Sequence, residues 1–178
     1  EYSTGQPALS PDGNTLYFVS DKPGGKGMSD LYKVAVSKDG TLGTPQRLGD
    51  HINTEGKEVF PYVDSNGNLY FSSDGHMGIG GLDVFYAEAK GGNFGSPLNI
   101  GRDVNSPGDD CAFKFDPNTQ EGYVSSNRDG GAGSDDLYQI KQLEELCDVT
   151  LNVSVVNEYT NDPISGARID LYDIYENR

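Results

Sequence analysis

The chain has 178 residues, enough for one ordinary domain, or for one domain and part of another. Its 24 Gly, 9 Pro, 11 Tyr and 7 Phe, with a hydrophobic fraction of 34%, suit a turn-rich all-β protein better than a helical one. A formal net charge of -15 speaks against nucleic acid, which wants a basic face, and against docking on anionic lipid; such acidity keeps a protein soluble.

The first element, PALSPDG at 7–13, reads as a short strand and a turn, with proline presetting φ and glycine accepting a positive one. NTLYFVSD at 14–21 is rich in aromatic and β-branched residues and reads as a second strand. A glycine-rich loop follows, then DLYKVAVS at 30–37 as a third strand. Lys38-Asp39-Gly40 marks a hairpin turn, and TPQRLG at 44–49 is a fourth, outer strand. The order then recurs as EVFPYVD, NLYFSSD, LDVFYAEA and SPLNIG. No helical periodicity is present before QLEEL at 142–146.

The recurrence is regular. Tyr17, Tyr70 and Tyr123 stand 53 positions apart, each ahead of a glycine-rich loop. Behind them come Ser20, Ser73 and Ser126, then Asp21, Asp74 and Asn127. Beyond the loop, Asp30, Asp83 and Asp136 keep step. A second match joins LGDHINTEGKEVF (48–60) to IGRDVNSPGDDCAF (100–113), pairing Gly49 with Gly101, Asn53 with Asn105 and Gly56 with Gly108. Four antiparallel strands per repeat point to a β-propeller, the long loops explaining a period above the usual ~40–50. Three repeats fall short of the about four to eight that close a propeller. Residues 1–10 also lack the strand and loop that precede later copies. The expectation is a piece of a longer protein, or a partner over the open edge.

A phosphate cradle needs amides at a helix N-terminus, whereas these loops join strands and hold no Walker lysine. Two readings of the loops remain. In one, the constant Asp after each loop accepts hydrogen bonds from loop amides and closes the turn without a metal. In the other, Asp129, Asp135 and Asp136 of the third loop bind calcium, although the alternating ligands of an EF-hand are missing. The loop tips around Gly24, Gly78 and Gly131 vary (Lys26, Met28, His76, Met77, Ala132), which makes them candidate interaction loops.

Catalytic signatures are missing. His51 and His76 fall at non-equivalent repeat positions, outside any HExxH or G-x-S-x-G pattern. Sequence singles out no carboxylate pair of glycosidase type. Cys111 sits at an apolar strand position, where an inert thiol is the ordinary reading. Cys111 and Cys147 fit one disulfide in an oxidising compartment or two thiols equally well. No run approaches the roughly 18 apolar residues of a transmembrane helix. Glu1 opens directly into turn-rich sequence rather than a signal peptide, as in a mature or excised fragment.

LSPDGNTLYFVSD, a loop and DLYKV together resemble the propeller repeats of the TolB type, also called WD-like or PD-type repeats. QPALSPDG, LYFVS, PGGKGMSDLY and NSPGDDCAF are similar to motifs of Bacteroidetes envelope proteins that join such repeats to an OmpA-like, peptidoglycan-binding domain. Cys111 stands where the last motif usually carries an aromatic residue. The likeness covers residues 1 to about 140. Residues 149–178, after a linker at 141–148, resemble the opening strands of a carboxypeptidase-regulatory-like, transthyretin-type β-sandwich.

The resemblance implies a non-enzymatic scaffold in the periplasm, associated with the outer membrane and supporting type IX secretion or gliding machinery. Its implied partners are secretion-machinery or porin-like outer-membrane proteins, with peptidoglycan bound by a domain outside this chain. It implies no cofactor. Alternatives are a calcium- or glycan-binding propeller and a carbohydrate-active or peptidase-associated domain.

Overall fold

A computed structural model describes residues 1–143 and 154–166. The chain divides into two compact units, Glu1–Leu143 and Glu144–Arg178. In the first unit, β1 (Thr4–Leu9), β2 (Thr15–Ser20), β3 (Asp30–Ala35) and β4 (Gln46–Arg47) form one sheet in that order. β5 (Glu58–Val63), β6 (Leu69–Ser73) and β7 (Asp83–Ala87) begin a second. β8 (Ala89–Lys90) and β9 (Asn93–Phe94) make a separate hairpin, after which β10 (Leu98–Asn99) returns to edge β7. β11 (Asp110–Asp116), β12 (Glu121–Ser126) and β13 (Asp136–Lys141) form the third large sheet. These 13 strands lie in four antiparallel sheets, none of them closed, and no helix occurs among the described residues. No helix there is long and apolar enough to cross a membrane.

The elements follow from local chemistry. Asp12 sits in the turn before β2, where Ser10 Oγ (2.6 Å) and Asn14 N (3.0 Å) donate to its Oδ1. Those bonds, first from Ser10 and then from Asn14, bring its pKa down to about 2. In the Asp39-Gly40 turn, Gly40 takes a φ of 82° and donates to Ser37 O at 2.9 Å.

Two expectations need correction. The strand read as LDVFYAEA ends at Ala87, because Gly91 and Gly92, with φ of 57° and 81°, fold the following residues into the β8–β9 hairpin. The third repeat also lacks, among the described residues, the fourth strand that β4 and β10 supply elsewhere.

The core lies between sheets. One cluster joins Val19, Leu31, Leu48 and Ile52 to Val63, Leu69, Phe71 and Phe85 of the second repeat. A second joins Val84, Tyr70 and Ile100 to Phe113, Phe115 and Val124 of the third. Tyr70 meets Phe113 across the boundary with ring centroids 5.0 Å apart.

In the second unit the described residues form one hairpin. Val156 and Pro163 make an antiparallel bridge, and Asn157 Oδ1 accepts from Tyr159 N and Thr160 N at 2.9 and 3.1 Å. The linker at 141–148, the expected sandwich strands at 149–178 and Cys147 lie largely or wholly outside the described residues.

Candidate functional site

Each large sheet begins with a corner built from the repeated Ser-Asp/Asn pair. The buried Ser20, Ser73 and Ser126 end β2, β6 and β12. Their hydroxyls accept from Lys22 N (3.2 Å), Gly75 N (3.0 Å) and Arg128 N (3.2 Å), two residues on in each case. The next side chain reaches back to the start of the first strand. Ser3 N donates to Asp21 Oδ1 at 2.5 Å, Lys57 N to Asp74 Oδ1 at 2.6 Å, and Asp109 N to Asn127 Oδ1 at 2.6 Å. An acceptor is all that position requires, which explains why Asp and Asn interchange there.

The Asp beyond the loop gathers loop amides. Asp30 Oδ2 accepts from Lys26 N at 2.8 Å, Asp83 Oδ2 from Ile79 N at 2.7 Å and Gly80 N at 3.0 Å, and Asp136 Oδ2 from Gly133 N at 3.0 Å. Gly25, Gly78 and Gly131 are glycine because a Cβ there would stand 2.0–2.1 Å from that same carboxylate oxygen. Were a cation brought to these loops, Asp30 Oδ1 and Asp83 Oδ1 are the buried oxygens without a protein partner. No three His, Cys, Asp or Glu converge on a metal-sized site among the described residues. Asp129 and Asp135 lie exposed on the third loop, and Asp136 is half-buried.

Between sheets runs a linker with two buried anchors. Asn53 accepts from Leu31 N at 2.7 Å and donates to Leu31 O and Leu48 O at 3.1 and 3.0 Å. Asn105 repeats this on Val84, at 2.8 Å from its N and 2.9 Å from its O. Both act as one extra residue of strand pairing. Five residues on, Glu58 and Asp110 are fully buried. Glu58 is held by Thr54 N, Thr54 Oγ1 and Ser73 Oγ. Asp110 accepts from Ser106 N, Ser106 Oγ and Arg128 Nη2, the last at 2.6 Å. Burial alone would raise the Asp110 pKa; hydrogen bonds from Ser126, Ser106 and Arg128 outweigh it and leave the pKa lowered.

The candidate loop tips divide. Met28 and Met77 are 64% and 95% exposed. Lys26 Nζ donates to Asp50 O at 2.9 Å, so its ammonium is tied to the linker. His76 turns inward, its ring 5.1 Å from Phe85 and its Nε2 2.8 Å from Ile52 O. Cys111 is a half-buried free thiol on β11, its pKa raised first by burial and then by Asp135.

β1, β5 and β11 each carry a bulge, between Gly5 and Ala8, Val59 and Tyr62, and Cys111 and Lys114. Gln6, Phe60 and Ala112 sit there with φ of 51–53°, uncommon for residues other than glycine. The Gln6 side chain crosses to the next repeat, where its Oε1 accepts from Phe60 N at 2.7 Å. The bulged strands line a groove of about 490 Å³ with Pro7, Pro61, Tyr62 and Phe113. Proline inside a strand is the sequence signal for such a bulge, and Pro7 and Pro61 carry it. A larger cleft of about 690 Å³ opens between the first two sheets, lined by Asp12, Tyr17, Lys33, Gln46, Asn66 and Phe94 among others. It depends on the unforeseen β8–β9 hairpin, whose Gly92 O accepts from Lys33 Nζ at 3.1 Å.

Compared with protein-family models and with curated proteins, the chain matches none.

Proposed function

We propose that residues 1–143 are consecutive blades of a β-propeller serving as a non-catalytic protein-interaction scaffold. On the resemblance of its repeats, we place it in the periplasm within an outer-membrane-associated protein of the OmpA family, in support of type IX secretion or gliding. One observation carries the scaffold reading. The repeated polar side chains of the loops accept from backbone groups of the same loop or from the residue that opens the first strand of the same sheet, while Met28 and Met77 stand exposed on that braced frame. A flexible thioether on a rigid loop is a contact surface that adapts to a protein partner. Crosslinking with mass spectrometry in intact envelopes tests this. Crosslinks from the loops to secretion or porin-like outer-membrane proteins support the reading. Their absence, while a folded lysine-bearing control domain crosslinks, removes it.

The cleft between the first two sheets favours one alternative, glycan binding, because it combines Tyr17 with the polar groups of Asp12, Gln46 and Asn66. Titration with envelope glycans distinguishes the two. Saturable binding lost in Tyr17→Ala would support the alternative.

A further inference from the structure

We propose that the open β13 edge of the third sheet, with the face beside it, is a docking site for a polypeptide segment carrying the linker pattern of these repeats. The pattern is a short strand, then Leu or Ile, Gly, two residues, Ile or Val, Asn, two residues and Gly. This goes beyond the scaffold reading and does not depend on its partners or location.

The chain displays the occupied form of this face twice. Leu31 pairs with Val19 and Val84 with Ser72; Leu137 holds the same register opposite Ser125. Leu31 and Val84 are 0% exposed, whereas Leu137 is 71% exposed. In the first two repeats, Leu48 N and Ile100 N donate to Leu31 O and Val84 O at 2.9 and 3.2 Å. Asn53 and Asn105 then take the amides of Leu31 and Val84. Leu137 presents its N–H and C=O on the corresponding side, and no group among the described residues bonds to either. Tyr70 packs on Phe113 of the following sheet, while its counterpart Tyr123 is 47% exposed.

The loop supplies independent support. Gly27 and Gly80 are pressed against the incoming linker: a Cβ would stand 2.4 Å from Gly56 O and Thr54 O at the first, and 2.3–2.4 Å from Ser106 O and Gly108 O at the second. Gly133 is the third glycine of this series, yet nothing approaches its Cβ position within 3.6 Å. The docking clearance is retained in a place where the described residues bring no linker. The same contacts are sealed by Met28 N to Gly56 O (2.8 Å) and Gly81 N to Gly108 O (2.9 Å), which leaves Ser134 N for the incoming glycine carbonyl. A second folded copy of this chain does not fit, because both of its segments with the pattern are already bonded to Leu31 and Val84.

The test uses the whole chain and a fluorescent synthetic peptide of residues 44–57, TPQRLGDHINTEGK. Anisotropy is expected to show saturable binding, and hydrogen exchange to show slowing of the Leu137 amide. Asn53→Ala in the peptide and Gly133→Ala in the chain are each expected to weaken binding at least about tenfold. Gly133→Ala leaves the unfolding midpoint of the free chain unchanged, since its Cβ meets only ordinary van der Waals contacts, Asp135 O at 3.6 Å and Asp136 Oδ1 at 3.9 Å. The proposal is overturned by no binding at about 1 mM peptide. It is also overturned by binding indifferent to both substitutions, or by a Leu137 amide already protected in the free chain, through self-association or otherwise.

Discussion

Replacing Asn105 tests the reasoning about the linker most directly. Asn105 is 2% exposed, and its side chain bonds Val84 N (2.8 Å), Val84 O (2.9 Å) and Asn99 Oδ1 (2.9 Å). Asn105→Ala leaves the Val84 N–H buried and unpaired, costing about 1–3 kcal/mol. Val84 O keeps its bond from Ile100 N and Asn99 Oδ1 its bond from Gly101 N, so these two losses together add only roughly 1 kcal/mol of net hydrogen-bond worth. Together these give about 3 kcal/mol, a large share of the about 5–15 kcal/mol typical of a domain. Urea unfolding of the wild type and variant measures it. A loss under about 1 kcal/mol would show that the Val84 amide finds another partner, and would sink the argument. Asn105→Asp separates geometry from charge. The new carboxylate still accepts from Val84 N but faces two oxygen acceptors in a buried place, which raises its folded pKa above the unfolded value of about 3.9. A group with a raised folded pKa binds its proton more tightly in the native state. Stability of the Asp variant relative to wild type therefore rises as pH falls from 7 toward 4. A flat difference over that range would refute the assignment.

Three further outcomes are expected. Asp83→Ala and Gly78→Ala each cost about 1–3 kcal/mol, the first by orphaning Ile79 N and Gly80 N, the second by setting a Cβ 2.0 Å from the carboxylate. Because Asp83→Ala also removes the clash, the double variant should lose less than the sum of the two, and simple additivity in denaturant unfolding would count against the shared contact. Arg128→Met breaks the Asp110 ion pair and costs about 2 kcal/mol, less than a fully buried pair because the Arg128 side chain is 24% exposed. The folded pKa of Asp110 is depressed, so its contribution is present above the unfolded value of about 3.9 and is lost as pH falls through the folded one. The gap between wild type and Arg128→Met should thus close below about pH 4, as followed by thermal unfolding across pH. Finally, calcium against a chelator should leave the midpoint of thermal unfolding in place, since the loop amides already occupy Oδ2 of Asp30, Asp83 and Asp136; a rise with added calcium would restore the metal reading.

Much of the strand framework was legible because its cues are local. Alternating aromatic and β-branched residues, Pro-Asp-Gly and Asp-Gly turns, and a 53-residue recurrence depend on neighbours in the chain. The tie between Asp30, Asp83 or Asp136 and its own loop spans only three or four residues, so a sequence argument could reach it. Other features depend on groups far apart. The role of Asn53 and Asn105 requires knowing that a side chain 22 or 21 residues away lies against a strand's outer edge. The groove along β1, β5 and β11 needs three bulged strands brought side by side, and the Gln6–Phe60 bond spans 54 positions. His76 reads as a loop tip until the fold turns its ring onto Phe85. Leu137 is an ordinary strand leucine in sequence. Its exposure emerges only when the same register, already occupied on Leu31 and Val84, stands open on the third sheet. Burial is a property of neighbours supplied by the fold, whereas turn and strand preferences belong to the residues themselves.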